Sequence, residues 1–174
     1  GSKSLFVNCV MTTSNTKVSP VIDLQRSSAF AVQNRLNQPS ASDVNYVADT
    51  ANVGTSSAAV YLTKPVTLEN LSTAIDVRLT SNIRSTSSIE VYFRTTSSEE
   101  ARNIDDLSWI PFNTTGTSDS TVTPSEDSET FKEYKYSTTG LNEFTAFQIK
   151  IVMKGTNSAY PPVIRDMRGI ALAV

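Results

Sequence analysis

The chain has no histidine among its 174 residues, and that gap removes much chemistry. Neither a Ser-His-Asp nor a Cys-His arrangement can be built, and the usual nitrogen ligand of zinc is missing. Cysteine is nearly as scarce. Cys9 stands alone, so no intrachain disulfide forms and a disulfide-stapled protein is excluded, while cytoplasmic folding followed by assembly is permitted. Leu5, Val7, Cys9 and Met11 alternate onto one apolar face, where a lone thiol reads as a small buried hydrophobe. Charged residues are few, at 18% with a net charge of −2, and a pI near 5.2 leaves no basic footprint for nucleic acid. No apolar run is long enough to cross a bilayer and no basic segment leads into an apolar one as in a secretory leader, so no membrane is expected as a partner. Sustained helical periodicity is absent as well.

What is present is two-residue alternation among Ser, Thr and Asn. Leu5 to Met11 predicts a first strand, Val18 to Leu24 an extended segment around Pro20, and Ala29 to Leu36 a third. Asn37 to Gly54 predicts a long loop anchored by Val44, Tyr46 and Val47. Val60 to Leu68 predicts a strand interrupted at Pro65, which lacks a ladder donor and belongs at an edge, with a turn at Glu69 to Ser72. Ile75, Val77 and Leu79, then Ile89, Val91 and Phe93, predict two half-buried strands that read as neighbours in one sheet. Ser97 to Asp106 offers helical turns capped by Ser97 or Ser98, and Leu107, Trp109, Ile110 and Phe112 are bulky enough to dock against a core. Asn113 to Thr130 is too polar to order itself by burial, and is expected to be mobile or used in a contact. Phe131 to Tyr136 resumes a strand. Phe144 to Val174 then reads strand, turn at Gly155 to Ser158, proline pair, strand.

Short strands between turn signals predict an all-β chain, an antiparallel two-sheet β-sandwich of jelly-roll type. Gly1-Ser2 reads as a cloning scar and residues 3–174 as one domain. Pro20-Val21-Ile22 and Pro162-Val163-Ile164 echo each other and suggest paired strands near the two termini.

Without histidine, enzymatic chemistry falls to carboxylates. Asp105, Asp106, Asp119, Glu126, Asp127, Glu129, Glu133 and Glu143 are the candidates, but no spacing picks out a glycosidase pair, and they read as solvated loop charges. The acidic loop lacks the spacing of a calcium loop, so no cofactor or metal is expected. Asn70-Leu71-Ser72 and Asn113-Thr114-Thr115 match the N-glycosylation pattern, which carries little without a secretory route. Exposed aromatics could stack on sugars. Tyr92, Tyr134, Tyr136, Tyr160 and Trp109 are the candidates, and a surface contact of Tyr92, Arg94, Tyr134, Lys135 and Tyr136 would serve either a glycan or a neighbouring subunit.

Several stretches together carry a resemblance. They are Val18 to Leu24 with Asn34 to Asn37, Tyr61 to Leu68, Ile89 to Arg94 followed by Leu107-Ser108-Trp109, and the closing run Phe144 to Lys154, Thr156 to Ser158, Pro162 to Asp166 and Arg168 to Leu172. In that order they resemble structural tail and baseplate proteins of contractile-tailed bacteriophages, particularly marine ones. The resemblance spans about Val18 to Val174 and rests on strand and turn signatures. It implies a noncatalytic β-sandwich module of the virion, made in the bacterial host cytoplasm, whose partners are other virion proteins or further copies of itself. The alternative is a β-sandwich that binds carbohydrate or a host receptor.

Overall fold

The computed structural model describes residues 8–23, 36 and 41–173. Contacts divide the chain into two units, Gly1–Gln33 and Asn34–Val174. In the first unit the described residues, 8–23, are exposed and form no strand. Asn15 organises a local turn, its Oδ1 accepting from Lys17 N at 2.9 Å and its carbonyl from Val18 N at 3.1 Å. Cys9 is exposed, not buried as expected, because residues 8–11 join no ladder that would turn one face of their alternation inward. The strand expected at 29–36 lies outside the described residues except for Leu36, and that at 5–11 does so in part.

The second unit is all-β, with no α-helix among its described residues. Its strands are β1 (Val60–Leu62), β2 (Val66–Ser72), β3 (Ala74–Asn82), β4 (Ser87–Thr96), β5 (Ile110–Pro111), β6 (Lys132–Thr138), β7 (Phe144–Gly155) and β8 (Val163–Leu172). They form two antiparallel sheets. In one, β1 and β2 follow each other along one side of β7, whose other side takes β4 and then β5; in the other the order is β6-β3-β8. The sheets share one core. Ile75, Val77 and Leu79 of β3 and Tyr134 and Tyr136 of β6 meet Ile89, Val91 and Phe93 of β4 and Phe147, Ile149 and Ile151 of β7. Each set is a period-two row, and burying each such large side chain stabilises the fold by roughly 1.5–3 kcal/mol.

Three expectations need correction here. β3 and β4 are not neighbours: β3 has β6 on one edge and β8 on the other, so no edge is left for β4, and Ile83 to Thr86 carries the chain to the opposite sheet. Glu69 to Ser72 continues β2 where a turn was expected, because Ser72 still pairs with Phe144 of β7. The Pro-Val-Ile echo makes no strand pair among the described residues, since β8 pairs with β3. Pro65 does sit at an edge, between β1 and β2. There Thr63 keeps the ladder going, its N–H donating to Ile149 O at 3.0 Å and its Oγ1 accepting from Ile149 N at 3.0 Å.

Among the described residues helix is confined to 3-10 turns, Ile104–Asp106 and Phe112–Thr114. The first is capped by Asn103, whose side chain accepts from Asp105 N at 3.2 Å, in place of Ser97 or Ser98. The polar loop at 113–130 is fastened, not loose. Val91 N donates to Gly116 O at 2.8 Å, Asp119 N to Lys135 O at 2.7 Å, and Ser125 N to Ile83 O at 3.0 Å. The loop therefore runs from β4 to β6 and closes that side of the sandwich.

Candidate functional site

The surface contact expected from sequence does not assemble. Tyr134 and Tyr136 face the core, where the Tyr136 ring meets that of Phe112 at a centroid distance of 6.1 Å. Burial raises the pKa of both phenols, so they remain neutral hydroxyls. Period-two alternation was read correctly in β6; what sequence could not show was which row faced inward. Tyr92 and Arg94 are also buried, at 6% and 4% exposure, because the outer face of β4 and β7 carries a second cover. Lys135, with its side chain 44% exposed, is the one residue of the five at the solvent surface.

That second cover is built from residues 46–57 and 103–109, joined where Trp109 N donates to Thr50 O at 2.9 Å. Beneath it β4 presents Glu90, Tyr92 and Arg94, and β7 presents Gln148, Lys150, Val152 and Lys154. The Arg94 guanidinium lies 4.3 Å from the Trp109 ring centroid. It donates through Nε to Gln148 Oε1 at 2.8 Å, through Nη1 to the carbonyls of Asp105 at 3.0 Å and Leu107 at 3.2 Å, and through Nη2 to the Asp105 carboxylate. Burial lowers its pKa, against the attraction of Asp105. Lys150, 1% exposed, donates to Asp49 O at 2.5 Å with its Nζ 5.3 Å from the Trp109 centroid and 5.7 Å from that of Tyr92. Burial lowers this pKa also, opposed by Asp49 and reinforced by Arg94 and Lys154.

A chain of charged partners completes the cover. Asp49 Oδ1 accepts from Ser57 Oγ at 2.8 Å and from the Thr55 hydroxyl, and its Oδ2 lies 3.3 Å from Lys154 Nζ. Burial would raise its pKa, but the two hydroxyls and Lys154 outweigh that and hold it below the ordinary carboxylate value. Lys154 Nζ reaches Glu90 Oε2 at 2.7 Å, and the Tyr92 hydroxyl donates to the same oxygen at 2.7 Å. Burial and Glu90 together push the Tyr92 phenol up. The arrangement staples two loops to a sheet, and its Arg94, Lys150, Asp49 and Tyr92 are engaged within the fold. Asp49, Trp109 and Lys150 were not singled out as a group from sequence, although Val152 on the polar row of β7 was a signal that this face too is covered.

The remaining carboxylates are dispersed. Glu126 accepts from Ser85 Oγ at 2.6 Å, Asp119 from Ser137 Oγ at 2.6 Å, and Asp127 from Thr130 Oγ1 at 2.8 Å. Among the described residues no three of His, Cys, Asp and Glu gather as metal ligands. A polar cleft of about 450 Å³ lined by Leu71, Ser97, Ser98, Glu99, Asn142 and Glu143 has no aromatic plane to receive a sugar ring.

Two surfaces among the described residues stand out for recognition. The outer face of the β6-β3-β8 sheet carries Lys135, Arg78 and Arg168 in one row, interleaved with Asp76, Glu133 and Asp166. Glu133 bridges Arg78 and Arg168 at 2.8 Å each. The second surface is the side opposite the 113–130 loop. There the edges β1 and β8 flank a cleft of about 360 Å³ lined by Tyr61, Ile151, Met153, Ile164, Arg165, Asp166 and Met167. Tyr61 beside it is exposed, Leu62, Val163, Ile170 and Leu172 are exposed on the outer faces of the flanking β1 and β8, and no backbone strap crosses the cleft among the described residues. The fold and these surfaces define an all-β chain of two antiparallel sheets with one open apolar side. Comparison with known proteins gives no matching family model, no matching curated protein and no matching solved structure.

Proposed function

We propose that this chain is a noncatalytic structural module of a bacteriophage virion, in the tail or baseplate, that works through protein-protein contacts. The observation that carries the reading is the open side between β1 and β8, where Tyr61, Met153 and Ile164 line a cleft between two strand edges that no described residue pairs. Such an edge is a template for a protein strand rather than a pocket for a reacting molecule. The burial of Tyr92, Tyr134, Tyr136 and Trp109 weighs against a glycan platform built on them, which leaves the exposed Tyr160 and the 113–130 loop to the glycan-binding alternative. The resemblance of the strand and turn signatures supplies the phage tail or baseplate as setting, with other virion proteins as partners and synthesis in the host cytoplasm.

We also read the sandwich as a jelly roll. What supports this is the nesting of its pairs: β4 with β5, β3 with β6 and β2 with β7 are successive rungs of a long hairpin rolled up on itself. The next rung would set a strand on the free edge of β8, whereas β1 lies on β7. The test of the function is mass spectrometry of purified phage particles whose genome encodes the chain. The reading expects it in fixed proportion to other tail proteins and labelled by antibody at the tail; intact particles lacking it would overturn the reading.

A further inference from the structure

The free edge of β8 carries a pattern that matches itself. β8 hydrogen-bonds only to β3 among the described residues, so along its ten residues the other edge takes no backbone partner from them. Its outward row is Asp166, Arg168 and Ile170, opposite Thr80, Arg78 and Asp76 of β3, and a bulge at Arg165 shifts the register so that Ile164 and Val163 follow opposite Ser81 and Asn82. Asp166 and Arg168 are 59% and 57% exposed, and Arg168 stands directly opposite Arg78, with Lys135 beyond it. Glu133 already holds Arg78 and Arg168 at 2.8 Å each, so the charges left least engaged at the open end are Asp166, 3.8 Å from Arg168, and the exposed side of Arg168 itself, which a facing strand of opposite order would pair.

We infer that the occupant of this edge is β8 of a second copy, paired antiparallel about a two-fold axis through Met167, so that the three-stranded sheet continues across two chains. An axis normal to the sheet keeps each face on its own side and requires an isologous match. Met167 then meets Met167 of the second copy at the mouth of the apolar cleft. Asp166 meets Arg168 of the second copy, twice by symmetry. With the bulge carried over from the pairing to β3, Val163 meets Ile170 of the second copy, which covers two of the exposed apolar groups. A register centred one residue later would set Arg168 against Arg168 and is rejected by like charge. This names a partner for the assembly function proposed above and rests on that reading for its setting.

Sedimentation velocity of the full chain over a concentration series, up to the millimolar range, tests it. The wild-type chain forms dimers. Asp166→Arg or Arg168→Asp alone weakens dimerisation about tenfold or more, since attraction becomes repulsion at both symmetric pairs. Mixing the two variants in equal amounts restores a heterodimer, because every Arg then faces an Asp. Both changes fall on exposed side chains, and circular dichroism of each variant checks that the strands persist. A wild-type chain monomeric at every concentration, or dimers indifferent to both reversals, overturns the proposal and assigns the edge to another segment of the same chain or to a different protein. Neither result bears on whether the chain is found in particles, so the two readings fail separately.

Discussion

The two sides of the sandwich end differently. On one, β5 and β6 are bridged by residues 112–130, a stretch with almost no apolar groups that is held by hydrogen bonds to β4, β6 and the turn after β3. On the other, β1, β2 and β8 carry exposed Tyr61, Leu62, Val66, Ile170 and Leu172, yet no segment among the described residues covers them. The polar side is the sealed one and the apolar side the open one. Sealing a side of a sheet needs partners for backbone groups more than it needs apolar area, because each buried unpaired group costs about 1–3 kcal/mol. Apolar groups left on an open side are then available for an intermolecular contact.

The comparison can be broken first at its best-packed point. Phe112, fully buried at the foot of the strap, lies 4.8 Å from Phe93 between ring centroids. Phe112→Ala should cost about 3–5 kcal/mol in urea unfolding, whereas Met153→Ala at the floor of the open cleft should cost about 1–2 kcal/mol, because that site is already partly open. Equal losses would mean that both sides are sealed alike.

Gly116 is the next point. Its φ is 82°, and a Cβ there would stand 3.0 Å from Glu90 Cβ and 3.2 Å from both Val91 N and Val91 O. Gly116→Ala should therefore destabilise the chain by about 2–3 kcal/mol and free the strap from β4, seen as faster exchange of the Val91 amide. No comparable loss is expected from Gly140→Ala, where φ is positive but nothing lies within 4 Å, beyond about 1 kcal/mol of backbone strain.

Acid sharpens the contrast further. Asp119 is held below the ordinary carboxylate value: burial would raise its pKa, but hydrogen bonds from Ser137 and Asn113 and the charge of Lys135 outweigh it. A carboxylate with a depressed folded pKa lends stability that is complete above its unfolded value near 3.8 and is lost as pH falls through the folded value. Asp119 and Asp49 should thus weaken the strap and the second cover together below about pH 4. Asp119→Asn should cost about 1 kcal/mol at neutral pH and flatten the acid limb of the stability curve. Smallest of all, Tyr61→Ser on the open rim should change stability by less than about 0.5 kcal/mol while weakening any association through that side.

Much of the sandwich was legible in the sequence. Ile75, Val77 and Leu79 announced β3, Pro65 announced an edge, and Phe147, Ile149 and Ile151 announced the inner row of β7, since alternation reports a buried face directly. Which strand pairs with which was not legible, because register depends on partners far along the chain; hence β3 and β4 were placed side by side. The covered outer face was missed for a related reason. Tyr92, Arg94 and Lys150 are polar and sit where a solvent row belongs, and residues brought from distant loops, among them Asp49, Asp105, Leu107 and Trp109, bury them. The low apolar content of the 113–130 loop predicts a mobile or contact segment, and its hydrogen bonds to Asn82, Lys135 and Ser137 do not show in composition.

Residue-resolved amide exchange as a function of protein concentration tests the sealed and open sides most directly. The Ser137 amide, which donates to Asp119 Oδ1 at 2.9 Å beneath the strap, should be protected at every concentration. Alternate amides of β8, those pointing away from β3, should exchange rapidly in dilute solution and slow as the chain is concentrated. Protection of the whole of β8 at the lowest concentration, unchanged on concentrating, would contradict an open side.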